Sequence, residues 1–268
     1  METVSLWRSW RRRGPVLFGE VSGSKVIISH RHRFIFVKTV KTAGTSIEAY
    51  LNPFLGPDDV ATPVYPPLER LEPRNYRGLF NPVPEVAARG LRAVPSAARD
   101  LARRKRFYNH LPAFKIRGRV GAAVWNRYFK FAVERNPWDK TVSYYSMRRE
   151  RWDHSLTWTE FLDGDRHCRN LIHYVEPRQP STVIVDRVLR FEHLDEELSE
   201  VMAHLGIPFP GALGVRAKSD YRRDRRPYPD WYDEEQRRRV GELFADEIRL
   251  HQYTFDESWQ PPLAGPSD

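Results

Sequence analysis

The sequence predicts an α/β domain with a largely parallel central sheet flanked by helices. Three observations carry this. Short β-branched and aromatic runs alternate along the chain with stretches whose apolar residues recur at helical spacing. Two of the runs, at 34–37 and 128–133, lead through a short polar turn into a helix. Hydrophobic residues make up 40% of the 268 residues and aromatics 13%, enough for a sizeable core and too much for a disordered chain.

Lys25 to Ser29 and Phe34 to Val37 read as the first strands. The segment Lys38-Thr-Val-Lys-Thr-Ala-Gly-Thr-Ser46 is small and polar, and Ile47, Tyr50 and Leu51 then fall at helical spacing until Pro53 stops the helix. Residues 52–112 hold 10 of the 21 prolines and show only fragmentary periodicity, with helices expected around 84–90 and 95–107. This stretch reads as a functional insertion or lid.

Order resumes at Ala113. Tyr128 to Val133 reads as a buried strand, and Pro137 opens a helix to about Arg151 with Trp138, Val142 and Tyr145 on one face. Thr157 and Glu160 have capping-box spacing. One or two strands lie in 183–191. Leu194 to Leu205 is an amphipathic helix stopped by Gly206. A loop over 208–229 precedes a last helix over 233–250. The reading is a single domain over 1–268, with a basic N-terminal segment at 1–24 and the Pro-rich insertion at 52–112.

Lys and Arg number 44 against 35 Asp and Glu, a formal net charge of +9, and Arg supplies 36 of the positive charges. Such a balance favours an anionic partner. The excess is concentrated: four positive and one negative charge in 1–13, seven and two in 85–107, six and two in 216–226. That concentration points to an anionic partner or anionic surroundings. The single cysteine, Cys168, excludes an internal disulfide and CxxC zinc sites. No apolar run is long enough for a membrane span, and the N-terminus lacks a signal-peptide apolar core, so a cytoplasmic protein is expected.

A strand ending in a small-residue loop that opens a helix is a ready anion site, because backbone N–H groups and the helix N-terminus converge there. In 38–46, Gly44 allows close backbone approach, Lys41 adds charge, and Thr42, Thr45 and Ser46 add hydroxyls. An ordinary polar turn has the same composition. Walker A is excluded, because the chain has no Gly-Lys dipeptide. The second unit places Arg135 at the carboxyl end of its strand, where open α/β sheets bind ligands, with Ser143 eight residues on. Arg135 offers a bidentate fork and Ser143 a hydroxyl to a phosphate.

Together these segments resemble the sulfotransferase superfamily that uses 3′-phosphoadenosine 5′-phosphosulfate (PAPS). Lys41-Thr-Ala-Gly-Thr-Ser46 is similar to its 5′-phosphosulfate loop, and Phe131 to Ser143 to its 3′-phosphate segment. Arg190-Phe-Glu-His-Leu, then Lys218-Ser219 and Tyr228 to Glu235, resemble the family-2 branch, which includes carbohydrate enzymes. The resemblance spans roughly 34–51 and 107–256. It implies a P-loop-like three-layer fold and sulfuryl transfer from PAPS to a hydroxyl or amine of an acceptor, for instance a carbohydrate. The donor would be held by Lys41, Thr42, Ala43, Gly44, Thr45, Ser46, Arg135, Ser143, Lys218 and Ser219, without a metal. Lys41 would also stabilise the leaving phosphate. His110 resembles the branch's catalytic histidine and would act as general base; the other reading is a packing histidine.

Departures from the pattern are Lys38 for His, Val40 for Pro, Ala43 for Gly, and Glu134 for an apolar residue. Ala43 fits if its φ is negative, and Glu134 would compete for Arg135 unless it points away. Glu48, on the helix after the first loop, is a second candidate for the base and otherwise reads as a solvated residue. Arg222, Arg223, Arg225 and Arg226 could close over nucleotide or acceptor, while Tyr228, Trp231 and Tyr232 could stack on a ring or pack the loop. His167, Cys168 and His173 lack metal-site spacing. Two other functions stay open: a phosphoryl transferase using Val183-Ile-Val-Asp186 as a Walker-B-like strand, and a binder of nucleic acid or a membrane surface. No nucleic-acid motif is present, and no nucleic-acid partner is expected; a peripheral membrane contact stays open.

Overall fold

The computed structural model describes residues 26–63, 72–164, 166–214, 222, 224 and 226–256. Its centre is a five-stranded sheet in the order β3-β1-β2-β4-β7, built from β1 (Ile27–Ser29), β2 (Phe34–Val37), β3 (Val60–Ala61), β4 (Phe129–Glu134) and β7 (Arg187–Arg190). β4 runs parallel to both β2 and β7, with Phe36 opposite Phe131 and Val133 opposite Leu189. β1 is antiparallel to β2 and to β3, so four of the five strands point the same way. A separate antiparallel pair joins β5 (Val175–Glu176) and β6 (Gln179–Val183).

The pleat sends alternate residues of β2 to opposite faces. Phe34 and Phe36 join Phe131, Val133 and Leu189 against α1 (Gly44–Leu51) and α8 (Leu194–Leu205). Ile35 and Val37 join Ala132 against α4 (Ala113–Val120) and α5 (Ala122–Arg127). Helices therefore cover both faces, as the alternation of elements predicts. Each fully buried phenylalanine contributes about 1.5–3 kcal/mol of transfer free energy. A third core joins α6 (Pro137–Arg151), α7 (Trp158–Asp163), α9 (Glu234–Leu243) and α10 (Ala245–His251).

Local signals act as expected. Thr157 and Glu160 form a complete capping box at α7, and Gly206 ends α8 in the left-handed conformation. The single C-terminal helix expected over 233–250 is instead two, α9 and α10, divided at Phe244.

The insertion is more than a lid. It supplies the edge strand β3 and core residues Leu55, Phe107 and Leu111. Its helices α2 (Val83–Arg89) and α3 (Val94–Ala102) each bury one carboxylate, Glu85 and Asp100. Both meet the fully buried Arg119 of α4: Glu85 at Nε, and Asp100 at Nη2 across 2.9 Å. Lys115 adds a contact to Glu85 at 3.3 Å. A buried pair stays stable only when its charges are this fully matched, and here the match pins the insertion to the domain.

Candidate active site

β2 and β4 are parallel neighbours, so the turns that follow them lie side by side at the carboxyl edge of the sheet. The first turn is built from below by Lys38. Its side chain is buried, donates to Thr45 Oγ1 at 3.1 Å and pairs with Glu48 Oε2 at 2.7 Å. Burial lowers the Lys38 pKa, against the pull of Glu48. Glu48 is thus a fully buried counter-ion, which corrects the expectation of a solvated residue. Gly44 is needed here because the Lys38 stem occupies its open side: a Cβ would stand 2.3 Å from Lys38 Cε.

Thr39 Oγ1 donates to the Val133 carbonyl and shares a 2.8 Å hydrogen bond with Thr42 Oγ1, tying the turn to β4. Thr42 and Thr45 therefore direct their hydroxyls inward, and Ser46 is also buried. Ala43 accepts from the N–H groups of Ser46 and Ile47 at 2.9 and 3.1 Å and opens α1. Its φ is +55°, in the left-handed region, not negative as the sequence reading required; Lys41 has φ +64°. Two such residues cost about 1–2 kcal/mol each. What this turn offers a ligand is backbone: the N–H groups of Gly44 and Thr45 stand at the start of α1, ahead of those that close onto the Ala43 carbonyl.

The second turn follows β4. Glu134 points away from the Arg135 guanidinium into a buried cluster. Its Oε1 accepts from the Arg135 N–H and from Lys140 Nζ, both at 2.8 Å, and its Oε2 from the Tyr174 hydroxyl at 2.8 Å. Lys140, opposing the cost of burial, and these hydrogen bonds hold the Glu134 carboxyl below its ordinary pKa. The competing carboxylate is Asp139, one turn along α6. Arg135 meets Asp139 Oδ2 through Nε at 2.9 Å and Nη2 at 2.5 Å, and its guanidinium carbon lies 4.1 Å from the Phe191 ring centre. Its remaining arm, Nη1, donates to the Lys41 carbonyl at 3.2 Å. Ser143 is half-buried four residues beyond Asp139, on the same face of α6.

Arg222 reaches back to Asp139 Oδ1 at 3.0 Å, so one carboxylate is shared by two arginines. The sequence reading missed Asp139 as a member of the site, although its spacing of four from Arg135 was available as a signal. Tyr228, Trp231 and Tyr232 pack in the third core against Tyr145, Trp158 and Phe255, and Tyr232 donates to the Trp138 carbonyl at 2.7 Å. Lys218, Ser219, Arg223 and Arg225 lie outside the described residues.

His110 has left-handed backbone, φ +53°, and lies beside Lys38 at the start of the first turn. Both ring nitrogens are out of solvent. The ring faces His173 with centroids 5.6 Å apart. Burial, then His173, then Lys38 hold its pKa well below the ordinary histidine value. Cys168 is buried and its thiol is pushed up to about 12, chiefly by burial.

Asp186 corrects the Walker-B-like reading. A residue in that role stands at the carboxyl end of a central strand. Asp186 precedes β7 and accepts from the Lys130 N–H at 2.7 Å near the opposite, amino-terminal end of β4. Val183 belongs to β6, outside the central sheet.

Among the described residues, no cluster of three or more His, Cys, Asp or Glu is arranged to hold a metal ion, and no helix is long and apolar enough to cross a membrane. No solved structure matches the chain. A protein of Archaeoglobus fulgidus, described only as uncharacterized, is 34% identical over 119 residues, which is 42% of this chain and 98% of that protein. The Sulfotransferase family matches residues 24–254, which takes in both turns, the insertion, and the helices through α10. The chain belongs to the sulfotransferase family, in its family-2 branch.

Proposed function

We propose that this sulfotransferase takes its sulfuryl group from PAPS and transfers it to a hydroxyl or amine of an anionic, glycan-like acceptor. The observation that carries this reading is the joining of two anion-suited turns at one edge of the sheet, through the Arg135 contact to the Lys41 carbonyl. The residues fit such a donor in kind. The α1 N-terminus and Lys41 suit the 5′-phosphosulfate. Arg135 and Ser143 suit the 3′-phosphate, with Lys218 and Ser219 assigned by the family pattern.

When bound, the donor supplies an activated sulfuryl group whose transfer, like phosphoryl transfer, depends on alignment and on stabilising spread charge. Lys41 and the loop N–H groups provide that charge stabilisation. His110 is held neutral at physiological pH, the form able to take a proton from an acceptor hydroxyl at Nδ1 or Nε2.

The anionic acceptor rests on the surface of the insertion. Between residues 73 and 133 the only carboxylates are Glu85 and Asp100, and both are buried. Arg77, Arg89, Arg92, Arg99, Arg103, Arg104 and Lys105 are all exposed, and the chain runs from them directly to His110. Desulfated donor, 3′-phosphoadenosine 5′-phosphate (PAP), tests the donor half. It should raise the melting temperature of the protein, and Lys41→Ala or Arg135→Ala should remove the shift. A protein that PAP at millimolar concentration does not stabilise is not PAPS-dependent. Transfer of label from PAPS across polysaccharide, glycolipid, tyrosine-peptide and small-molecule acceptors tests the other half.

A further inference from the structure

Val40 sits in the first turn, one residue before Lys41. Its two backbone polar groups are both satisfied by one side chain 130 residues away. Asn170 Oδ1 accepts from the Val40 N–H at 2.9 Å, and Asn170 Nδ2 donates to the Val40 carbonyl at 3.0 Å. The second Nδ2 hydrogen goes to Glu134 Oε1 at 3.2 Å. The orientation of the carboxamide is fixed by its partners: two acceptors face the nitrogen and a donor faces the oxygen. Asn170 is itself fully buried, and its backbone N–H donates to Glu247 Oε1 at 2.9 Å. Lys140 bridges Glu134 and Glu247 at 2.8 and 3.4 Å.

β2 ends at Val37, so residue 40 has left the sheet ladder. Asn170 acts as the strand neighbour it has lost. The residue that follows, Lys41, is left-handed, as is Ala43. Left-handed non-glycine residues persist where the surroundings over-determine them, and a two-point clamp on the preceding residue does this. The Asn170 carbonyl also accepts from the His173 N–H at 2.9 Å, so the same residue steadies the turn that carries the His110 neighbour.

We propose that Asn170 is a positioning residue of the donor loop. It acts through the Val40 backbone to hold Lys41 and the α1 N-terminus in their binding conformation. The proposal rests on the donor reading above and deepens it. Substituting Asn170 should therefore weaken donor binding through Lys41, not merely loosen the core.

The test compares Asn170→Ala, Lys41→Ala, the double variant and Tyr174→Phe in the full chain. Tyr174 donates to the same Glu134 carboxylate and does not touch the turn, so it controls for damage to the buried cluster. By calorimetry, Asn170→Ala should weaken PAP binding about tenfold, and Tyr174→Phe less than about twofold. The double variant should bind within about twofold of Lys41→Ala, because residues acting through one another are not additive. Backbone hydrogen exchange in 39–46 should rise in Asn170→Ala and stay unchanged in Tyr174→Phe. If Asn170→Ala does not fold, the isosteric Asn170→Asp, which cannot donate to the Val40 carbonyl, is measured in its place with the same expected losses. Unchanged exchange in 39–46, or losses from Asn170 and Lys41 that multiply, overturns the proposal. If wild-type protein shows no PAP binding, the donor reading falls, and exchange alone decides whether Asn170 holds the loop.

Discussion

Arg135 donates to the Lys41 carbonyl across 3.2 Å, although 94 residues separate them in the chain. This contact makes one site of two turns. It also orients Arg135, with Nε and Nη2 on Asp139 and its plane over Phe191, three of its five N–H donors being engaged in these contacts. A lysine has one compact charge and no fork, so it can replace only one of these contacts. Arg135→Lys should keep the fold, with a modestly lower melting temperature without ligand because contacts to Asp139, Lys41 and Phe191 are lost. It should weaken PAP about 10- to 100-fold, or about 1.4–2.8 kcal/mol. Thermal shift against PAP concentration measures both, and wild-type affinity in the variant would remove Arg135 from the donor site.

Asp139 stands between Arg135 and Arg222, so in the proposed donor site it would place a negative charge beside the 3′-phosphate. It orders the arginines and would, in that reading, repel the ligand. Asp139→Asn removes the charge and keeps the shape. The ligand-free protein should become less stable, because two partly buried guanidiniums lose their counter-ion, while the shift produced by PAP should grow. A shift that shrinks would mean that Asp139 serves binding by orienting Arg135 more than it opposes binding by its charge.

The Lys38–Glu48 pair lies under the loop with both side chains removed from solvent. Removing one partner of a buried pair strands the other charge, a cost of about 3–5 kcal/mol. Glu48→Gln should lower stability by that amount in urea unfolding. Gly44→Ala should act on the same pair from the other side, because its Cβ would meet the Lys38 stem at 2.3 Å and push the ammonium off Glu48. A loss below about 1 kcal/mol in both variants would show that Lys38 can leave for solvent at little cost.

These relationships explain where sequence reading succeeded and where it stopped. The two turns, the helix starting at Pro137, the Thr157 capping box and the Gly206 stop depend on residues within a few positions of one another, so their pattern was visible. Glu48 and Glu134 looked solvated or disruptive because their burial depends on how the backbone folds back on Lys38 and Lys140. The edge strand β3 is two residues long and has no period to detect. Asn170 was invisible as a contact of Val40, since nothing local in 166–173 points to residue 40. Composition could suggest a ligand for this loop; only the fold shows what holds it.

Acid should destabilise the protein in a window set by its buried histidines. Burial holds His173 at about 4 and His110 well below the ordinary value of 6.5. The unfolded chain gains these protons near pH 6.5 and the folded chain does not. Their contribution is therefore complete above pH 6.5 and is lost as pH falls toward 4, at up to about 1.4 kcal/mol per pH unit for each histidine. His173→Gln should flatten this part of the stability curve. In the rate profile, the acid limb of kcat/KM should fall below pH 6.5, and His110→Gln should lose turnover while keeping PAP affinity. If the limb lies at or above 6.5, or turnover survives, His110 is not the base.

The last prediction concerns the acceptor. The exposed cations of the insertion, six arginines and Lys105, face solvent with no carboxylate among them, because Glu85 and Asp100 are spent underneath on Arg119 and Lys115. Seven such cations attract a polyanion over a Debye length of about 8 Å at physiological salt, and they attract it less as salt rises. They are not among the residues assigned to the donor. The triple variant Arg92→Glu, Arg99→Glu, Arg103→Glu should therefore raise the acceptor KM about tenfold or more and reduce the salt dependence of kcat/KM. The PAPS KM and the melting temperature should stay within error, since surface charges of this kind rarely change stability by more than about 0.5 kcal/mol. An equal rise in both KM values would place this face at the donor site instead, and no rise in either would free the acceptor from any need to be anionic.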